Sequence, residues 1–224
     1  ARLVRQGRNV LVFQPGKAEI SKTIEKLQEE LQMTNTPAAI LPLHGDLDTA
    51  EQDYVFRSYH SPKVVVATNI AQTSITIDDI DAVVDSGLEK RIETSAEGIE
   101  GLYLKRTSKA DDEQRKGRAG RCRPGIYINC HEPDYLDTQP DFPKAEIERV
   151  RLDQLVLRFL RLSIDPEELE FFHQPEKQKI IDAKNTLFAL GAIDKTDQVT
   201  AIGKEINKLP CSVNFARMIK KKKK

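Results

Sequence analysis

Residues 63–78 read Lys63-Val-Val-Val-Ala-Thr-Asn-Ile-Ala-Gln-Thr-Ser-Ile-Thr-Ile-Asp78. The opening run, with three consecutive valines, predicts a short strand buried on both faces. It gives way at once to a polar, hydroxyl-rich loop, and another apolar run follows over 81–85. Strands buried on both faces belong to parallel sheets, where the loops beyond the carboxyl ends of the strands bind ligands. Thr68, Asn69, Thr73, Ser74 and Thr76 can each donate a hydrogen bond to a phosphate or a sugar. Plain turn chemistry explains any one of them, and explains the whole cluster less well.

Working outward, residues 9–13 and 38–43 give two earlier strands. Between them Ile20, Ile24, Leu27 and Leu31 recur at helical spacing with charges interleaved, which predicts a helix as far as Gln32. Asp48 and Glu51 have capping-box spacing, so a helix is expected from Thr49 to about Phe56. Strand candidates recur at 102–106 and 125–130, and Ser108 with Asp111 marks a helix starting near Lys109. Alternating strands and helices make an α/β fold with a mostly parallel sheet covered by helices on both faces. Pro133, Pro140 and Pro143 then punctuate an acidic linker, and helices dominate beyond it. One amphipathic helix is expected over 147–162 and another over 175–190, with Gly191 placed to end it. A polar turn or small hairpin over 194–200 and a last short helix over 200–209 complete a winged-helix-like pattern.

The helix starting near Lys109 leads into Glu113-Gln-Arg-Lys-Gly-Arg-Ala-Gly-Arg-Cys-Arg123, where Arg115, Lys116, Arg118, Arg121 and Arg123 put five cations into nine residues. A basic helix end in water accounts for an isolated charge run. Gly117 and Gly120 argue for more, since each costs about 1 kcal/mol against alanine within a helix, and they suggest a close approach to the backbone. Arg118 and Arg121, three apart, project from one face if that turn is helical, forming a fork suited to phosphate oxygens.

The chain has 224 residues, 39% hydrophobic and 31% charged, enough for one large domain or two small ones with a buried core. Lys and Arg number 35 against 35 Asp and Glu, so a polyanionic partner has to be held by local patches. Three scattered cysteines fit a reducing, intracellular compartment, cytoplasm or nucleus. No apolar run approaches the roughly 18 residues of a membrane span. Both ends look like cuts in something longer, and Lys220–Lys224 reads as an exposed start of a removed segment or an RNA-binding tail. No phosphate-cradling Gly-x-x-x-x-Gly-Lys-[Ser/Thr] occurs, and Gly16-Lys17-Ala18 lacks the metal-binding hydroxyl. His131-Glu132-Pro133-Asp134 only superficially resembles an acidic metal motif, and Cys122, Cys130 and His131 lack a fourth ligand at zinc spacing.

Taken together, the two loops resemble motifs V and VI of superfamily 2 helicases of the DEAH-box group. Residues 67–78 are similar to motif V, Gln114-Arg-Lys-Gly-Arg-Ala-Gly-Arg121 to motif VI, and Leu11-Val-Phe-Gln-Pro-Gly16 to motif IV, in the family's order. The resemblance implies a second RecA-like domain over 1–140, a winged-helix-like domain over 141–210, and a truncated or disordered basic tail over 211–224. It implies ATP with Mg²⁺, the metal held mainly by a first RecA-like domain not present here, and single-stranded RNA as partner, with a protein activator as a further one. Gln114 then contacts the γ-phosphate or its attacking water, and Arg118 and Arg121 are arginine fingers. Ser74, Thr76, Asp78 and Gly117 line the nucleotide cleft, Phe56 stacks on the adenine, and Thr68 and Asn69 face the RNA. Two departures stand out: the family usually has Glu where Gln72 stands and a small residue where Lys116 stands. The competing readings are a non-catalytic binding module on a helicase fold, and a related helicase acting on DNA or of viral origin.

Overall fold

The computed structural model describes residues 1–95, 99–122 and 124–221. They divide into two units, the first comprising Ala1–Arg91 and Leu102–Pro143, the second Ile92–Gly101 and Lys144–Lys224.

The first unit is built on five parallel strands: β1 (Val10–Phe13), β2 (Ala39–Leu43), β3 (Lys63–Ala67), β4 (Ala82–Asp85) and β7 (Ile126–Asn129), in the spatial order β2-β3-β1-β4-β7. The valine-rich β1 and β3 lie inside the sheet, in register from Val10 beside Val64 to Phe13 beside Ala67. Alternation sends Leu11 and Phe13 into one core layer with Leu43, Val65 and Val83, and Val10 and Val12 into the other with Ile20, Leu31 and Val64. Pro42, which has no N–H to give a ladder, sits in the edge strand β2. The helices of this unit are α1 (Arg2–Arg5), α2 (Lys17–Met33), α3 (Thr49–Gln52), α4 (Ile70–Thr73) and α5 (Lys109–Lys116). Both expected capping boxes form. The Glu51 N–H donates to Asp48 Oδ1 at 2.8 Å, and the Asp111 N–H to Ser108 Oγ at 3.2 Å. Beyond α3 the chain tightens into a 3-10 turn, Asp53–Phe56.

The strand expected over 102–106 starts earlier. As β6 (Glu100–Arg106) it pairs with β5 (Leu88–Thr94) in a separate two-stranded sheet. The polar run Glu-Lys-Arg-Ile-Glu-Thr carries no alternating apolar signal, and this hid β5.

In the second unit the helix expected over 147–162 is two: α6 (Glu146–Arg149) and α7 (Asp153–Arg161). Val150 is extended, and the Arg151 N–H is given to Glu100 and its Nε to Asp153 at 2.7 Å, so those groups are spent on a turn. Then come α8 (Lys177–Ala189), α9 (Ala201–Ile206) and α10 (Val213–Lys221). Gly191 follows α8 with φ +70°, as a helix-ending glycine should. The polar turn expected over 194–200 forms, closed by a single antiparallel bridge, Ile193 with Val199. The basic tail begins as α10, anchored by buried Val213 and Ala216; residues 222–224 lie outside the described residues. Leu152, Val156, Leu157, Ile180, Leu187 and Ile206 form the core of this unit.

Candidate functional site

The parallel register brings the carboxyl ends of β1, β3 and β4 side by side, and the loop after β3 leaves from that edge. Thr68, half-buried, gives its N–H to Leu43 O at 3.0 Å, and exposed Asn69 opens the single turn of α4. Apolar Ala71 and Ile77 turn inward and hold the loop down, leaving Ser74, Thr76 and Asp78 exposed on it.

Gln72 is the exception among the polar residues, only 5% exposed. Its Nε2 donates to Asp111 Oδ1 at 2.8 Å and to Gln114 Oε1 at 3.0 Å, while its Oε1 accepts from Arg115 Nε at 3.0 Å. Arg115, 1% exposed, goes on to pair with the buried Asp85 at 2.7 Å and lies over the Phe13 ring. Asp111 also accepts from Arg91 and from the Ser108 hydroxyl, each at 2.7 Å. Burial pushes the Asp111 carboxyl up, but the hydrogen bonds from Ser108 and Gln72 and the Arg91 charge together hold it below the usual range. Glu89, paired with Arg91, goes the other way: burial raises it. Tyr127 is pushed above its ordinary range by burial first and then by Asp112 and Asp85, so its hydroxyl stays protonated, 2.6 Å from Asp112 Oδ1.

The basic stretch is helical only as far as Lys116. Gly117 closes α5 and Gly120 takes φ +85°, so Arg118 and Arg121 stand on a loop and not on one face of a helical turn. The close approach that the glycines promised is internal: a Cβ on Gly125 would meet the Gly120 nitrogen at 2.5 Å. Arg118 folds back onto the loop after β3, with Nη1 at 3.3 Å from both Ile75 O and Thr76 Oγ1 and Nη2 on the Gln72 carbonyl. Partial burial, and then the charge of nearby Arg121, lower its pKa. Arg121 is exposed, Lys116 pairs with Glu113 at 2.9 Å, and Arg123 lies outside the described residues. Gln114 and Gly117 are exposed at the end of α5.

The structure thus joins Gln114 and Arg118 through Gln72, and Thr76 to them through Arg118, with Ser74 and Asp78 on the same loop as Thr76. Phe56 stands on a separate element, 51% exposed at the end of its 3-10 turn while neighbouring Val55 is buried. Sequence reasoning missed Arg115, counting it among solvated cations. Its spacing carried a signal, because it lies one turn after Asp111 on the helix face that the capping box turns inward. Guanidinium, amide and hydroxyl donors suit an anion such as a triphosphate. Among the described residues no group of three or more His, Cys, Asp or Glu can hold a metal ion, and no helix is long and apolar enough to cross a membrane.

The helicase conserved C-terminal domain matches residues 1–123. The chain belongs to that family. It is 38% identical to the human probable ATP-dependent RNA helicase DHX34 over 94% of this chain and 19% of that protein. It is 34% identical to the Escherichia coli ATP-dependent RNA helicase HrpA, again over 94% of this chain and 16% of that protein. Among solved structures the Escherichia coli DEAH/RHA helicase HrpB superposes with a TM-score of 0.84 at 30% identity, covering 97% of this chain and 28% of that one. The five-stranded parallel sheet is therefore the RecA-like helicase fold, in the form of the DEAH/DExH-box RNA helicases. The chain spans about a fifth of the length of the curated relatives it matches.

Proposed function

We propose that this helicase domain is the C-terminal motor half of an ATP-dependent, DEAH-box-like RNA helicase, followed by a winged-helix-like domain. The observation that carries the reading is the placement of Arg118, pinned to the loop after β3 with Arg121 close enough to disturb it electrostatically. Two like charges near one another at the carboxyl edge of a parallel sheet are relieved by a shared anion. ATP supplies that anion from a first RecA-like domain, which holds the phosphates and Mg²⁺. Arg118 and Arg121 neutralise the charge that develops during phosphoryl transfer, an effect worth on the order of 10³–10⁵ in rate. Gln114 reaches the γ-phosphate or the water that attacks it. Ser74, Thr76, Asp78 and Gly117 line the cleft, and exposed Phe56 offers its ring to the adenine. Thr68 and Asn69 contact the backbone phosphates of single-stranded RNA, as hydroxyls and amides do.

Half a site does not turn over. This chain alone is expected to hydrolyse ATP negligibly, and to support RNA-stimulated hydrolysis once joined to a matching first domain. In the joined protein Arg118→Ala and Arg121→Ala should each abolish turnover while sparing much of the nucleotide binding. Robust hydrolysis by the chain alone would overturn the half-site reading, and unchanged turnover in both variants would reject the assignment of Arg118 and Arg121 as fingers.

A further inference from the structure

The side chain of Gln72 has no spare polar atom. Two acceptors, Asp111 Oδ1 and Gln114 Oε1, share its Nε2, and Arg115 Nε takes its Oε1; its backbone carbonyl receives Arg118. A carboxylate of the same length could keep the bond from Arg115, but it has no N–H for the other two. It would also stand within hydrogen-bond distance of Asp111, whose Oδ2 is already filled by Arg91 Nη2, Ser108 Oγ and the Ser108 N–H.

We propose that Gln72 is a positioning residue for Gln114 and Arg118, and that it serves as one only in the amide form because Asp111 already supplies the carboxylate of the pair. Gln72 holds the oxygen of Gln114 through its side chain and the guanidinium of Arg118 through its carbonyl, so one buried residue sets both. This gives the departure at position 72 a physical reason: the acid expected there stands one hydrogen bond away, at 111. The inference rests on the reading of Gln114 and Arg118 as nucleotide-facing groups.

The charges around the pair determine what pH does. Arg91 and Glu89 face it from β5, Arg115 from α5 and Ser108 from the N-cap of that helix, and Asp85 acts through Arg115. In the native pair Asp111 stays ionised through the neutral range, its pKa held down by these donors. In Gln72→Glu two carboxyls share the site, and the upper pKa of the pair rises. A raised folded-state pKa means that the folded protein binds the extra proton, so stability and geometry are kept at low pH and lost as pH climbs through that value.

The test is RNA-stimulated ATP turnover by the full-length protein carrying this chain. Wild type, Gln72→Glu, Asp111→Asn, Gln114→Ala and the double variant Gln72→Glu/Asp111→Asn are compared across pH. At about pH 8, Gln72→Glu should lower kcat about tenfold with little change in KM for ATP, and recover toward wild type at about pH 6. Asp111→Asn alone should lower kcat, and the double variant should return to within about threefold of wild type at about pH 8, because the carboxylate then accepts from the amide introduced at 111 and from a Gln114 amide turned to present its Nε2. If Gln72→Glu does not fold, the rise in kcat from Asp111→Asn to the double variant is still required. Losses that multiply in the double variant, or a pH-independent defect in Gln72→Glu, overturn the proposal. Gln114→Ala with wild-type turnover overturns the nucleotide reading instead, so the two failures are separable.

Discussion

The two units keep their interiors in different ways. In the sheet unit Gln72, Asp85, Glu89, Asp111, Asp112 and Arg115 are buried beside an apolar core, each tied to a partner of opposite charge or complementary hydrogen-bonding type. In the helical unit Asp153 is the one polar residue among the described residues that is buried, and Leu, Val, Ile and Ala make up the core cluster. Buried ion pairs add little net stability over well-packed apolar groups, because desolvation consumes most of the attraction. What a buried network does provide is a fixed geometry. It lies under the loop of Thr76 and Arg118, where fixed geometry is needed. The helical unit has no such site among its buried residues and is held by apolar area.

The widest test of that contrast is Arg115→Ala. Removing the guanidinium leaves Asp85 buried without its partner and Gln72 without its donor, which should cost about 3–5 kcal/mol in chemical denaturation. Arg115→Lys should recover little, since one ammonium cannot serve Gln72 and Asp85 through the two separate N–H groups that a guanidinium provides. A loss in Arg115→Ala of less than about 1 kcal/mol would mean that the network is ornamental, and the contrast would collapse. Next in size is Leu187→Ala in α8, fully buried in the apolar core of the other unit. Here a cavity and lost burial should cost about 2–5 kcal/mol, with no dependence on pH across the carboxylate range because no charge is involved. A pH-dependent loss at Leu187 would show that the helical unit also relies on ions.

The same contrast explains what could be read in advance. The five sheet strands announced themselves, because Val64, Val65 and Val66 or Val10, Leu11 and Val12 have no other good environment than a doubly covered strand. Asp48 with Glu51 and Ser108 with Asp111 were legible for a similar reason, since a capping box is a local bargain between neighbours. What could not be read depended on tertiary partners. β5 is a strand only because β6 pairs with it, and the break at Val150 depends on bonds made by Arg151 to Glu100 and Asp153. Arg115 was the largest miss. Five cations within nine residues look alike in sequence, and only the fold decides that one faces Asp85 in the core while Arg121 faces water.

That last pair gives the smallest expected effect on stability, and the sharpest division of labour. Arg115 and Arg121 lie six residues apart in one basic stretch. Exposed Arg121, on the loop beyond α5, is no part of the buried network, so Arg121→Ala should change the unfolding free energy by no more than about 0.5 kcal/mol, in either direction. Loss of a like charge beside Arg118 favours a slight gain, because that neighbour lowers the Arg118 pKa. The gain should vanish as salt screens the two charges. If turnover of the joined enzyme falls by orders of magnitude in the same variant, stability and catalysis are carried by different arginines of one stretch. A stability loss at Arg121 approaching that at Arg115 would instead make the whole stretch structural, and the exposed end would no longer stand apart from the buried one.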